Sequence, residues 1–153
     1  MALSHKPQVL YRASVERIAG ARRAFADKDY PLSMYLSGLA VECILQAVAL
    51  RHGAAHDARH SLLNWLVKCP AKLQDAIKGK NVDDWNKVVS SWDNGIRYLS
   101  RDGLIGYLRE RGFAIGIAGG AESVLRKNAR TLLDSATAVH RRGADQWLNS
   151  TRK

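Results

Sequence analysis

The stretch YLSGLAVECILQAVALRHG, residues 35–53, decides how the rest of the chain is read. It is an almost unbroken apolar run, yet Glu42 stands in its middle and Gln46 follows one helical turn later. A helix that is apolar on nearly every side belongs at the centre of a bundle, because it has no polar face to turn to water. Pro31 suits the first turn of such a helix and Gly53 its end, which predicts a span over residues 31–52. Gly38, Glu42 and Gln46 recur four residues apart and share one face. Gly38 predicts the close approach of a neighbouring backbone. Glu42 predicts a basic or hydrogen-bonding partner inside the bundle, since a buried carboxylate without one takes up a proton. Residues 32–50 are long enough to cross a bilayer, but Glu42, Gln46, Ser33 and Ser37 argue for a core helix and no membrane.

Helical periodicity extends outward from this segment. Leu10, Ala13 or Ser14, Ile18, Ala21 and Phe25 recur at intervals of three and four, predicting a first helix over residues 7–28. After a loop over GAAHDAR, Asp57 is placed to cap a third helix over 58–69, with Leu62, Leu63, Trp65 and Leu66 to bury. Residues 72–79 read as one or two turns. Asn81 with Asp84 resembles a capping arrangement ahead of VDDWNKVVSSW, whose Trp85, Val88, Val89 and Trp92 form an inner stripe. Irregular chain follows at DNGIRYLSRDG, a short helix at LIGYLRERG, and a loop with strand character at FAIGIAGG. A long last helix over 121–148 faces Leu125, Leu132, Leu133, Ala136, Val139 and Trp147 inward, with Arg126, Lys127, Arg130, Arg141 and Arg142 outside. The predicted fold is all-α: an up-and-down four-helix bundle with short additional helices, one domain over residues 1–153.

The 153 residues carry 24 Lys plus Arg against 14 Asp plus Glu, a formal net charge of +10 and a pI near 10.0. A surplus of that size favours a polyanionic partner, nucleic acid or an acidic protein. The two cysteines, Cys43 and Cys69, have no metal-knuckle or disulfide spacing, and the first residues lack the apolar core of a signal peptide, so a reducing cytoplasm is expected.

Chemistry-bearing patterns are few. His52, His56 and His60 are spaced by four, but Gly53 breaks their register, and no metal site is expected. No serine lies in a nucleophile elbow. GIAGGAES, ahead of the last helix, has glycine-freed amides that suit an anion, but it lacks the Lys-Ser/Thr of a P-loop, and no cofactor is implied. The tract WDNGIRYLSR, residues 92–101, gathers Trp92, Asn94, Arg97, Tyr98 and Arg101. Aromatic planes beside guanidinium groups are how single-stranded RNA or a nucleotide is commonly held. The competing reading puts Trp92 and Tyr98 in the core and pairs Arg97 with Glu42.

Four segments in order, DYPLSMYLSGLAVECILQAVALR, ARHSLLNWL, SSWDNGIRYLS and VLRKNARTLLDSA, resemble the HEPN family, the higher-eukaryote and prokaryote nucleotide-binding domain. The likeness is to small stand-alone prokaryotic members and covers about residues 21–147. It implies a helical bundle that dimerises and works around RNA or nucleotides. Glu42 then corresponds to the family's internal acid, His60 to its loop-to-helix histidine, and Arg97 with Tyr98 to its basic–aromatic pair. Many members are metal-independent ribonuclease toxins in which a dimer joins two Arg-x(4–6)-His motifs; others are non-catalytic and pair with a nucleotidyltransferase-type protein. RHGAAH, Arg51 to His56, fits the motif in spacing, but it closes the second helix, whereas the family places its motif near the last helices. The leading expectation is a non-catalytic RNA-, nucleotide- or partner-binding module of a toxin–antitoxin or defence type. An endoribonuclease using Arg51 and His56, or an interaction scaffold, are the alternatives.

Overall fold

A computed structural model describes residues 6–150. These residues form α1 (Pro7–Ala26), α2 (Tyr30–Arg51), α3 (Leu62–Val67), α4 (Ala71–Lys78), α5 (Val82–Ser91), a 3-10 turn (Asn94–Tyr98), α6 (Arg101–Glu110) and α7 (Ala121–Ser150). The fold is all-helical, with no strand among the described residues, so the strand character expected of FAIGIAGG is replaced by successive turns. Gly112, Gly116 and Gly119 supply positive φ angles of 78°, 75° and 94° in that loop.

The apolar helix is central, as its lack of a polar face requires. α2 packs on α1 on one side and on α7 on another, and Met34, Ala40, Val41, Ile44, Leu45, Ala47 and Val48 are closed to solvent. It is long and apolar enough to cross a membrane, but 72% of its apolar window is buried inside the fold. The three-residue link 27–29 folds α2 back on α1, where the Ser33 hydroxyl donates to the Ala21 carbonyl at 2.9 Å. Tyr11 stacks on Trp147 at 4.9 Å and Ser14 meets His140, so α1 also runs antiparallel to α7. Where α2 crosses α7, Gly143 makes room for the Ile44 side chain: a Cβ there would lie 2.6 Å from Ile44 Cγ1.

Three expectations are corrected. The third helix begins at Leu62, and its cap is Ser61, whose hydroxyl accepts the Asn64 N–H at 3.3 Å. Asp57 instead holds Arg59 and Lys68, at 2.7 and 3.3 Å. Asn81 precedes α5 without a side-chain cap, although Asp83 and Asp84 favour its positive N-terminal end. Gly38 admits a side chain and not a backbone: the Trp92 ring lies directly on it, in the space a Cβ would fill.

Candidate nucleic-acid interface

The interior polar stripe meets its partner at His60. Glu42 is 2% exposed, and its Oε1 accepts from Gln46 Nε2 at 2.8 Å and pairs with His60 Nδ1 at 2.8 Å. Burial holds the Glu42 carboxyl above its usual range, while His60 and Gln46 pull in the opposite direction. Its Oε2 is buried without a hydrogen-bond partner among the described residues, as is Asn94 Oδ1. The Arg97–Glu42 pair does not form. His60, with Leu62, Trp92 and Asn94, also lines a cleft of about 180 Å³.

Within WDNGIRYLSR the structure separates residues that the sequence grouped. Trp92 is buried on Gly38, and its Nε1 donates to the Tyr35 carbonyl at 3.2 Å, so it is a core residue. The next residues form the 3-10 turn because Asp93 caps it, accepting the Gly95 N–H at 2.6 Å, while Ile96 is buried to anchor it. That anchor turns Arg97 and Tyr98 outward. Tyr98 is 75% exposed, and the Arg97 guanidinium carbon lies 4.5 Å from its ring centroid. Arg97 also lines a cleft of about 210 Å³ with Tyr35, Leu32 and Asp29. Arg101 lies over the Tyr30 ring at 5.7 Å and pairs with Glu122 at the start of α7.

The aromatic contacts continue across the same end of the molecule. Tyr30 meets Phe25 edge to face at 5.5 Å, and Arg130 of α7 lies 4.6 Å over Phe25. Arg101, Tyr30, Phe25 and Arg130 thus form a run of contacts from α6 to α7, and the Arg97–Tyr98 pair stands near its α2 end, where Arg97 borders a cleft with Asp29 and Leu32. Periodicity assigned Arg126, Lys127 and Arg130 to the outer face of α7 but had no means of placing them beside Phe25, about a hundred residues away in sequence.

Other chemical candidates are accounted for. The Arg51 guanidinium stacks on the Trp147 ring at 3.8 Å and donates to the Trp147 carbonyl at 3.2 Å, while His56 lies in the loop after α2. His140 Nε2 lies 2.9 Å from Ser14 Oγ in the interior, the spacing of a nucleophile and its base. The Ser14 hydroxyl, however, gives its proton to the Tyr11 carbonyl at 2.7 Å, so His140 must donate to the oxygen and cannot withdraw a proton from it. Burial, with Arg22 nearby, pushes His140 down to about 4, which keeps it neutral near pH 7. The Cys43 and Cys69 thiols are pushed up by burial to about 11 and about 12, too high for a reactive thiolate. His52 turns Nδ1 to the Val48 carbonyl and His60 turns to Glu42, and no metal-binding group of three His, Cys, Asp or Glu occurs among the described residues.

Compared with protein-family models, curated proteins and solved structures, the chain finds no match.

Proposed function

We propose that this protein is a HEPN-like RNA- or nucleotide-binding module, non-catalytic, of a prokaryotic toxin–antitoxin or defence system. In this reading α1, α2, α5 and α7 are the principal helices of an up-and-down four-helix bundle. The bundle acts in the cytoplasm as a homodimer and serves a nucleotidyltransferase-type partner. The observation that carries the binding function is the solvent-facing Arg97–Tyr98 pair, with a guanidinium 4.5 Å from a ring that is 75% exposed. An exposed ring offers a plane on which a base stacks, and the adjacent cation meets the phosphate. The net charge of +10 favours the encounter. An endoribonuclease built on Arg51 and His56 is the second reading, and it requires Arg51 to leave the Trp147 ring and carbonyl.

Fluorescence anisotropy with a labelled single-stranded RNA, in EDTA, tests this reading. Stacking on one aromatic contributes about 1–3 kcal/mol, so Arg97→Ala/Tyr98→Ala should weaken binding roughly 5- to 150-fold with the RNA intact. Equal affinity in wild type and variant would remove the proposal. Cleavage that disappears in His56→Ala would replace it with the ribonuclease.

A further inference from the structure

A second feature of the same end of the molecule lies outside the WDNGIRYLSR tract. The glycine-rich loop over residues 112–120 folds against the first turns of α7 and encloses a cleft of about 480 Å³. Phe25, Gly116, Ile117, Ala118, Ser123, Arg126, Lys127 and Arg130 line it, which sets three cations, one hydroxyl and no carboxylate around one space. Their spacing explains the convergence. Positions 123, 126, 127 and 130 are three and four apart, so they occupy one face of α7.

The cations are available to a ligand. Arg130 is set on the Phe25 ring, which fixes its direction without neutralising it. Among the described residues no carboxylate pairs with Arg126, Lys127 or Arg130: of the acids four residues before and after the cluster, Glu122 is taken by Arg101 and Asp134 forms no ion pair with Arg130. Like charges three and four apart on one helix face repel, so this arrangement opposes folding when empty, and an anion between the charges relieves it. Gly119, at φ 94°, lets the loop turn onto Ser123, whose hydroxyl occupies the space a Cβ there would need.

We infer that this cleft is a phosphate-binding site, in which Arg126, Lys127 and Arg130 neutralise the oxygens of a phosphate-bearing ligand and the Ser123 hydroxyl donates to one of them. Arg supplies paired, directional donors to phosphate, and Lys a mobile point charge. The volume accommodates a nucleoside polyphosphate, and the open side leaves room for the backbone of an RNA strand. The choice of phosphate over other anions rests on the RNA or nucleotide function proposed above; the convergence of the cations does not.

Isothermal titration of the full chain with inorganic pyrophosphate and with ATP, beside anisotropy with single-stranded RNA, separates the two sources of phosphate. The test variant is Arg126→Gln/Lys127→Gln, both exposed side chains whose loss leaves the core intact. The control is Arg12→Gln/Lys72→Gln, which removes the same charge from clefts at the far end of α7. The site predicts about tenfold weaker binding in the test variant and little change in the control. A loss seen with pyrophosphate and ATP identifies a nucleotide phosphate, and a loss confined to RNA identifies a backbone phosphate. Equal losses in both variants would show unlocalised charge and overturn the site. So would unchanged affinity in Arg126→Gln/Lys127→Gln for all three probes, or wild type that binds none of them. Arg97→Ala/Tyr98→Ala keeps the two ideas apart: if it leaves RNA affinity unchanged while Arg126→Gln/Lys127→Gln lowers it, the stacking reading fails and the phosphate site stands.

Discussion

Glu42 and His140 are both buried, and burial moves their proton affinities in opposite directions because each is held toward its neutral form. His140 drops from the ordinary 6.5 to about 4, so between those values the unfolded chain binds a proton that the folded chain refuses. Stability contributed by His140 is therefore present above pH 6.5 and lost as pH falls toward 4, by about 3 kcal/mol at about 1.4 kcal/mol per unit. Glu42 works the other way. Its raised affinity makes the folded state the better proton binder, so its contribution is present below pH 4.5 and lost as pH rises through the folded value. Urea unfolding of wild type, His140→Gln and Glu42→Gln from pH 4 to 7 separates the two. The stability advantage of wild type over His140→Gln should grow with pH, and that over Glu42→Gln should shrink. Differences that stay constant across the range would show that neither group titrates differently on folding. The sequence located Glu42 as a buried acid from the apolar run around it. It could not select His60 over Arg97 as the partner, because that choice depends on which way the 3-10 turn faces.

At the scale of elements, α2 was legible because its signals agree: a continuous apolar run, Pro31 in the first turn and Gly53 just beyond the end. The long last helix was legible for the same reason, with Leu125, Leu132, Leu133, Ala136, Val139 and Trp147 all buried. The third helix was misplaced because Asp57 and Ser61 both suit a cap, and only tertiary contacts decide between them. Asp57 is committed to Arg59 and Lys68, so the helix waits for Ser61. The use of Gly38 was likewise hidden, since its neighbour Trp92 is 54 residues away. That contact makes Gly38→Ala a sharp test of how α2 meets the end of α5. A methyl group there collides with the indole, whose Nε1 is tied to the Tyr35 carbonyl, so the ring cannot tilt freely. Overpacking of this kind costs about 1–3 kcal/mol, and a clear fall in melting temperature is expected. Gly20→Ala is the control: its Cβ would meet the ends of the Leu36 and Arg23 side chains, at 3.3 and 3.7 Å, and alanine favours the helix. If both variants melt alike, Trp92 does not rest on Gly38.

For the whole molecule, the sequence supplied the sign and size of the charge but not its arrangement, because a surplus of +10 reads the same whether spread evenly or gathered. The fold gathers part of it. Arg97, Arg126, Lys127 and Arg130 are brought to one end, where Arg101, Tyr30 and Phe25 connect α6 to α7 although Phe25 and Arg130 stand about a hundred residues apart in sequence, and Arg97 lies beside the start of α2. An RNA strand lying along this strip would meet four cations without carboxylate partners and release a matching number of counterions. Single-stranded nucleic acid loses affinity with a log–log salt slope of about −0.7 per phosphate contact, which predicts a slope of about −3 for wild type. Removing two of the four in Arg126→Gln/Lys127→Gln should reduce its magnitude by about 1.4. Arg12→Gln/Lys72→Gln should leave it near the wild-type value, although the net charge falls by the same amount. Anisotropy titrations at several salt concentrations read these slopes directly. If the slope instead follows net charge alone and falls equally in both variants, RNA is attracted by the surface as a whole and the strip has no particular role. A slope lost only on the Arg126 and Lys127 side places the strand there, on a face whose parts the sequence named singly and only the bundle assembles.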